Sequence, residues 1–125
     1  MAVRLTPRRF ERLVASAVDA LPVDVLAVLE NVAVMVQEWP SRDQLEYTEE
    51  GDRYGLLGLY EGVPQTERDG YNMALPDRIT LFQRPLEAVC GTRDELAEEV
   101  RVTVVHEIAH HLGWTDADLE RLGYD

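Results

Sequence analysis

Lysine is missing from this sequence. All twelve basic residues are arginine, and they stand against 24 aspartates and glutamates for a formal net charge of −12. A chain this acidic is repelled by phosphate backbones, so nucleic acid is not an expected partner. Cysteine is nearly missing too. Cys90 is alone, so no internal disulfide can staple the fold and the core must hold it unaided. A small buried thiol is the ordinary reading of such a residue, and a metal ligand is the alternative. Long apolar runs are also lacking, and none approaches the roughly 20 residues needed to span a bilayer. The charged start MAVRLTPRRFERLV leads into an amphipathic pattern, not into the apolar h-region and small-residue cleavage site of a secretory leader. The expectation is a cytoplasmic protein with no membrane partner. With 125 residues and no internal repeats, residues 1–125 read as one domain.

The pattern of what is present predicts an α+β fold. Thr6-Pro7 is a helix start, an N-cap hydroxyl followed by proline at the first helical position, and Phe10, Leu13, Val14, Ala17 and Leu21 follow at helical spacing. Pro22 opens a second short helix through VDVLAVLE. NVAVMVQEW is β-branched and apolar without helical spacing and reads as a buried strand. SRDQLEYTEEGDR reads as a polar connection, YGLLGLYEGVP as a strand, and QTERDGYNMALPD as a turn-rich loop long enough to serve as a rim or lid. RITLFQR alternates as a third strand closed by Pro85, and its alternation makes it the candidate sheet edge for pairing with an extended peptide. Thr92-Arg93-Asp94-Glu95 is a capping box. From it Leu96, Val100, Val104, Ile108 and Leu112 step by four along one face of a long helix, and Gly113 is its natural stop. The expected architecture is a small mixed sheet with helices packed on one side.

The chemistry lies at the end of that long helix, in TVVHEIAHHLGWTDADLE. Residues four apart on a helix lie one above the other, so His106 and His110 present two imidazoles to one point, as a tetrahedral Zn²⁺ requires of two ligands. Glu107 is about 100° around from His106. There it flanks the ion without ligating it and can accept a proton from water that the metal acidifies. The surrounding Val104, Val105, Ile108, Ala109 and Leu112 are uncharged, and burying two imidazoles and a carboxylate among them without partners would be costly. Gly113 permits a left-handed turn that folds the chain back, and three residues later comes Asp116. The spacing H106-E107-x-x-H110-x-x-G113-x-x-D116 thus supplies a third, anionic ligand and leaves a fourth position for water.

On these residues the chain resembles the Asp-zincins, and more closely the small bacterial zincin-like metallopeptidases known as mini-zincins. The eleven-residue motif carries the likeness, and NVAVMVQEWP, GLLGLYEGVP and LPDRITLFQRPL extend it over most of the chain. The resemblance implies a zinc-dependent peptidase acting on a peptide or protein substrate, with His106, His110 and Asp116 as zinc ligands and Glu107 as general base. It also implies a small mixed sheet backed by helices, with the active-site helix beneath its edge. Larger zincins of this turn type continue past the third ligand into a lower subdomain with a methionine turn. Here nine residues follow Asp116 and none is methionine. Half of the usual cleft is then expected to be missing, which counts against cleavage of folded proteins and leaves room for a homodimer that completes the site.

Alternatives stand beside several of these readings. TDADLE is also an ordinary helix start, with Thr115 as cap and Asp118 closing the box, and Asp118 is the reserve ligand. His111 faces elsewhere on the helix, at the rim of the site or simply near the helix end. Tyr54, Tyr60, Tyr71 and Tyr124 are equivalent candidates for an oxyanion donor. Against the peptidase stand a catalytically silent zincin-fold domain that binds a metal or a protein, and a structural helix with chance histidines.

Overall fold

The computed structural model describes residues 3–48, 51–62 and 76–124. Helix α1 (Pro7–Asp19) begins where the sequence places it: the Thr6 hydroxyl accepts the Arg9 N–H, and Pro7 sits where a missing N–H costs no hydrogen bond. It buries Phe10, Val14 and Ala17, and Pro22 then opens α2 (Val23–Leu29). Strand β1 (Val32–Gln37) follows. The expected polar connection after it contains a helix, α3 (Arg42–Tyr47), with Ser41 and Gln44 forming a capping box. This helix buries no residue of its own. Its cap and the packing of Leu45 against Leu56, Leu59 and Phe82 hold it, not an apolar stripe. Strands β2 (Gly58–Glu61) and β3 (Asp77–Phe82) come next. The loop expected over QTERDGYNMALPD lies mostly outside the described residues.

The sheet order is β1-β3-β2, with β3 parallel to β1 and antiparallel to β2. Two expectations change here. β3 is not an edge: Ile79, Thr80, Leu81 and Phe82 are consecutively buried because both faces and both sides of the strand are covered. β1 is not a buried strand either, and its Met35 is 50% exposed at the edge of the sheet. Strand alternation places Val34, Val36, Tyr60, Ile79 and Leu81 on one face, packed with the main core. Leu59 and Phe82 lie on the other face under α3, so helices cover both faces and not one.

Pro85 does not end β3. The strand stops at Phe82, and Pro85 is the third residue of α4 (Gln83–Ala88), in a first turn whose N–H groups have no intrahelical partner. α4 anchors the start of the chain: the buried Glu87 carboxylate accepts the Leu5 N–H at 2.7 Å and Arg84 Nη1 at 2.8 Å. Cys90 is buried in the main core cluster, which is the ordinary reading of that thiol. Helix α5 (Arg93–Leu112) runs through the molecule with Leu96, Val100, Val104 and Ile108 fully buried. Leu112, the last of the expected series, is 47% exposed because the helix has left the core by then. Gly113 ends it at φ 73°, in the left-handed region that favours glycine, and α6 (Asp116–Leu122) follows. No described helix is long and apolar enough to cross a membrane.

Candidate active site

The geometry of the site starts from a missing side chain. A Cβ on Gly58 would lie 2.6 Å from Cγ2 of Thr103 and 3.3 Å from the Thr80 carbonyl oxygen, so only glycine lets β2 lie this close against α5. One helical turn beyond Thr103 is Glu107, and two residues beyond Gly58 is Tyr60. The close approach brings the Tyr60 N–H to Glu107 Oε1 at 2.9 Å. Glu107 is therefore held by a backbone donor of an edge strand. Its Oε2 has no hydrogen-bond partner among the described residues.

Burial pushes the Glu107 carboxyl above the usual carboxylate range, against the opposing effects of the Tyr60 N–H and of His110 and His106. A carboxyl shifted this way binds a proton more readily than a solvated one, which suits a general base. It lines a cleft of about 540 Å³ together with Tyr47, Thr48, Leu59, Tyr60, His110 and His111. The His111 ring stacks on the Tyr60 ring with centroids 3.9 Å apart and planes at 17°. The Tyr60 hydroxyl donates to Asp77 Oδ2 at 2.8 Å. His111 and Tyr60 thus form one wall. The sequence offers four tyrosines without a means of choosing; Tyr60 is the one at Glu107, while Tyr54 packs edge-on against Trp39 and Tyr71 lies outside the described residues.

His106 and His110 are both exposed on the last turns of α5. His106 Nε2 is 2.9 Å from the Tyr124 carbonyl oxygen. A carbonyl only accepts, so Nε2 carries the proton in this contact. Asp116 is the exposed first residue of α6, and its carboxylate makes no hydrogen bond or ion pair among the described residues. Asp118 is engaged instead. Its Oδ2 accepts the Thr115 N–H at 2.9 Å and the Thr115 hydroxyl at 3.0 Å, and its Oδ1 is 3.6 Å from Arg121. The motif thus spans the last turns of α5, the Gly113 turn and the first residue of α6. Among the described residues, though, no three of His, Cys, Asp or Glu are grouped closely enough to hold a metal ion.

Comparison with known proteins adds to this geometry. The chain has 27% identity to a conserved hypothetical protein from Thermo thermophilus of known structure, over 86% of this chain and 94% of that one, with a TM-score of 0.53. No curated protein matches. The model of the family described as zincin-like metallopeptidase matches residues 29–124, which takes in every described strand, the cleft and the whole His-Glu helix. A match over that span, on a mixed sheet backed by the helix that carries the motif, places the chain in the zincin-like metallopeptidase family.

Proposed function

We propose that the protein is a zinc-dependent peptidase in which His106, His110 and Asp116 hold the ion and Glu107 is the general base. The observation that carries this reading is Glu107, a half-buried carboxyl with raised proton affinity, fixed by the Tyr60 N–H at the wall of a cleft and beside two exposed imidazoles. The donor set fits zinc, since two neutral imidazoles from one helix face and one carboxylate are ligands the ion takes readily. The free carboxylate of Asp116, beside the fully engaged one of Asp118, favours Asp116 as the third ligand. When bound, zinc supplies Lewis-acid polarisation of the scissile carbonyl and acidifies water. In that chemistry the Glu107 carboxylate would take a proton from the attacking water and return it to the leaving amine. Tyr60 N–H keeps the carboxylate oriented, and β2, the edge strand beside the cleft, is the strand along which an extended peptide pairs.

One observation favours a second reading, a catalytically silent zincin domain: His106 Nε2 is engaged by Tyr124 and no three-ligand group is assembled among the described residues. Hydrolysis of a random peptide library separates the two. The peptidase reading expects activity that chelator abolishes and zinc restores. It also expects Glu107→Gln to lower the rate about 100-fold or more while leaving zinc bound. Zinc binding with no hydrolysis of any peptide would favour the silent domain.

A further inference from the structure

The arginines of this chain are unevenly paired. Arg78, Arg84, Arg101 and Arg121 each lie within 4.0 Å of a carboxylate, as expected where 24 acids surround 12 bases. Arg4, Arg8, Arg9, Arg12, Arg42, Arg53 and Arg93 meet none among the described residues, and what sets Arg9, Arg12 and Arg93 apart is that they share one groove. These three, with Arg101, line an open groove of about 860 Å³ between α1 and α5, floored by Leu13, Ala17 and Ala97. Asp94 is the acid beside them. Two of the three also stand where a helix disfavours them. Arg9 is the third residue of α1 and Arg93 the first of α5, at the positive ends of the helix dipoles, where cations are unfavourable. α1 has no acid in its first turn to compensate. Three guanidinium groups without acid partners, gathered on one groove and two of them in first helical turns, suit an anionic ligand.

We propose that this groove binds an acidic segment of a partner protein, whose carboxylates are taken by Arg9, Arg12 and Arg93 and whose apolar side chains meet the floor. Guanidinium groups match carboxylates as two-pronged donors. The small side chains of Ala17 and Ala97 let a peptide backbone approach. The length decides against nucleic acid. Arg9 to Ala20 spans eleven helical steps, about 16 Å, or roughly five extended residues. Beyond that stretch a long polyanion meets a chain of net charge −12, whereas a short acidic peptide does not extend into it. On α5 the groove face steps through Arg93, Ala97 and Arg101, and His106 is about 140° further around the helix from Arg101. A segment bound here leaves the Glu107 cleft open, and the proposal stands whether or not the cleft is catalytic.

The test is fluorescence anisotropy of the full chain with a labelled synthetic peptide of alternating Glu and Leu at low salt. Binding that weakens as salt rises is expected, with a Gln-for-Glu peptide and the variant R9Q/R12Q/R93Q each weaker by at least about tenfold. The variant's melting temperature should hold or rise, because first-turn cations are removed. Absence of binding to the acidic peptide, or equal binding by the variant, would overturn the proposal. So would tighter binding of a single-stranded oligonucleotide or of anionic vesicles. A fall of several degrees in melting temperature would assign the arginines to the fold and overturn it as well. If the triple variant fails to fold, the exposed Arg12→Gln alone must weaken binding, and no weakening in that variant counts against the groove.

Discussion

Glu107 and Cys90 are both ionisable groups raised by burial, and only one of them faces a cleft. Burial, with the carboxylates of Glu99 and Glu95 behind it, pushes the Cys90 thiol up to about 11. An unfolded cysteine titrates near about 8.5, so folding favours the neutral thiol. The resulting stability is fully present below that value and is lost as pH rises towards 11. Alkylation should show it: at pH 8.5 native Cys90 should react at least about tenfold more slowly than in denaturant, since only the thiolate attacks. Equal rates would mean the thiol is open to solvent. The same scale shows what a sequence does not display. Glu107, His106 and His110 are legible because side-chain chemistry and spacing name them. The group that holds Glu107 is a backbone N–H, and backbone donors carry no residue signature; Tyr60 is found only once the register of β2 is known.

Among the elements, α5 and α1 are legible because a four-residue apolar step and a Thr-Pro start survive any tertiary context. α3 and α4 are short, and they are set by a cap and by neighbours more than by an apolar stripe. The ordering of the strands is not in the alternation either, since β3 owes its central place to backbone pairing with β1 on one side and β2 on the other. The contact between β2 and α5 gives a specific expectation. Gly58→Ala should destabilise the fold by about 1–3 kcal/mol, because the new methyl meets the stiff, buried Thr103. Thr103→Ser removes the clashing Cγ2 and should recover part of the loss in a denaturant melt; no recovery would locate the strain at the Thr80 carbonyl instead. α6 offers a second expectation. The Thr115 N–H, then its hydroxyl, hold the Asp118 carboxyl below the usual aspartate range. Its contribution is therefore present above the unfolded value of about 3.9 and disappears as pH falls through the lower folded value. An NMR titration should find Asp118 depressed, and Thr115→Val should move it back up. An undisplaced midpoint in the variant would mean that the hydroxyl contributes nothing beyond the backbone bond.

At the scale of the whole molecule, family membership, the cleft and the acid-rich surface belong to one small α+β chain. The sheet does not itself supply chemistry. It sets Tyr60 against Glu107, while α5 carries the imidazoles out of the core to the same end and the Gly113 turn starts the segment bearing Asp116. The claim on which the functional account rests is that this end of the molecule holds zinc. Elemental mass spectrometry of the untagged protein tests it most directly, with His106→Ala, His110→Ala, Asp116→Ala and Asp118→Ala measured beside the wild type. The account predicts close to one zinc per chain in the wild type and in Asp118→Ala, and loss of zinc in the other three. A wild type without zinc after purification and reconstitution, or full occupancy in either histidine variant, would contradict it.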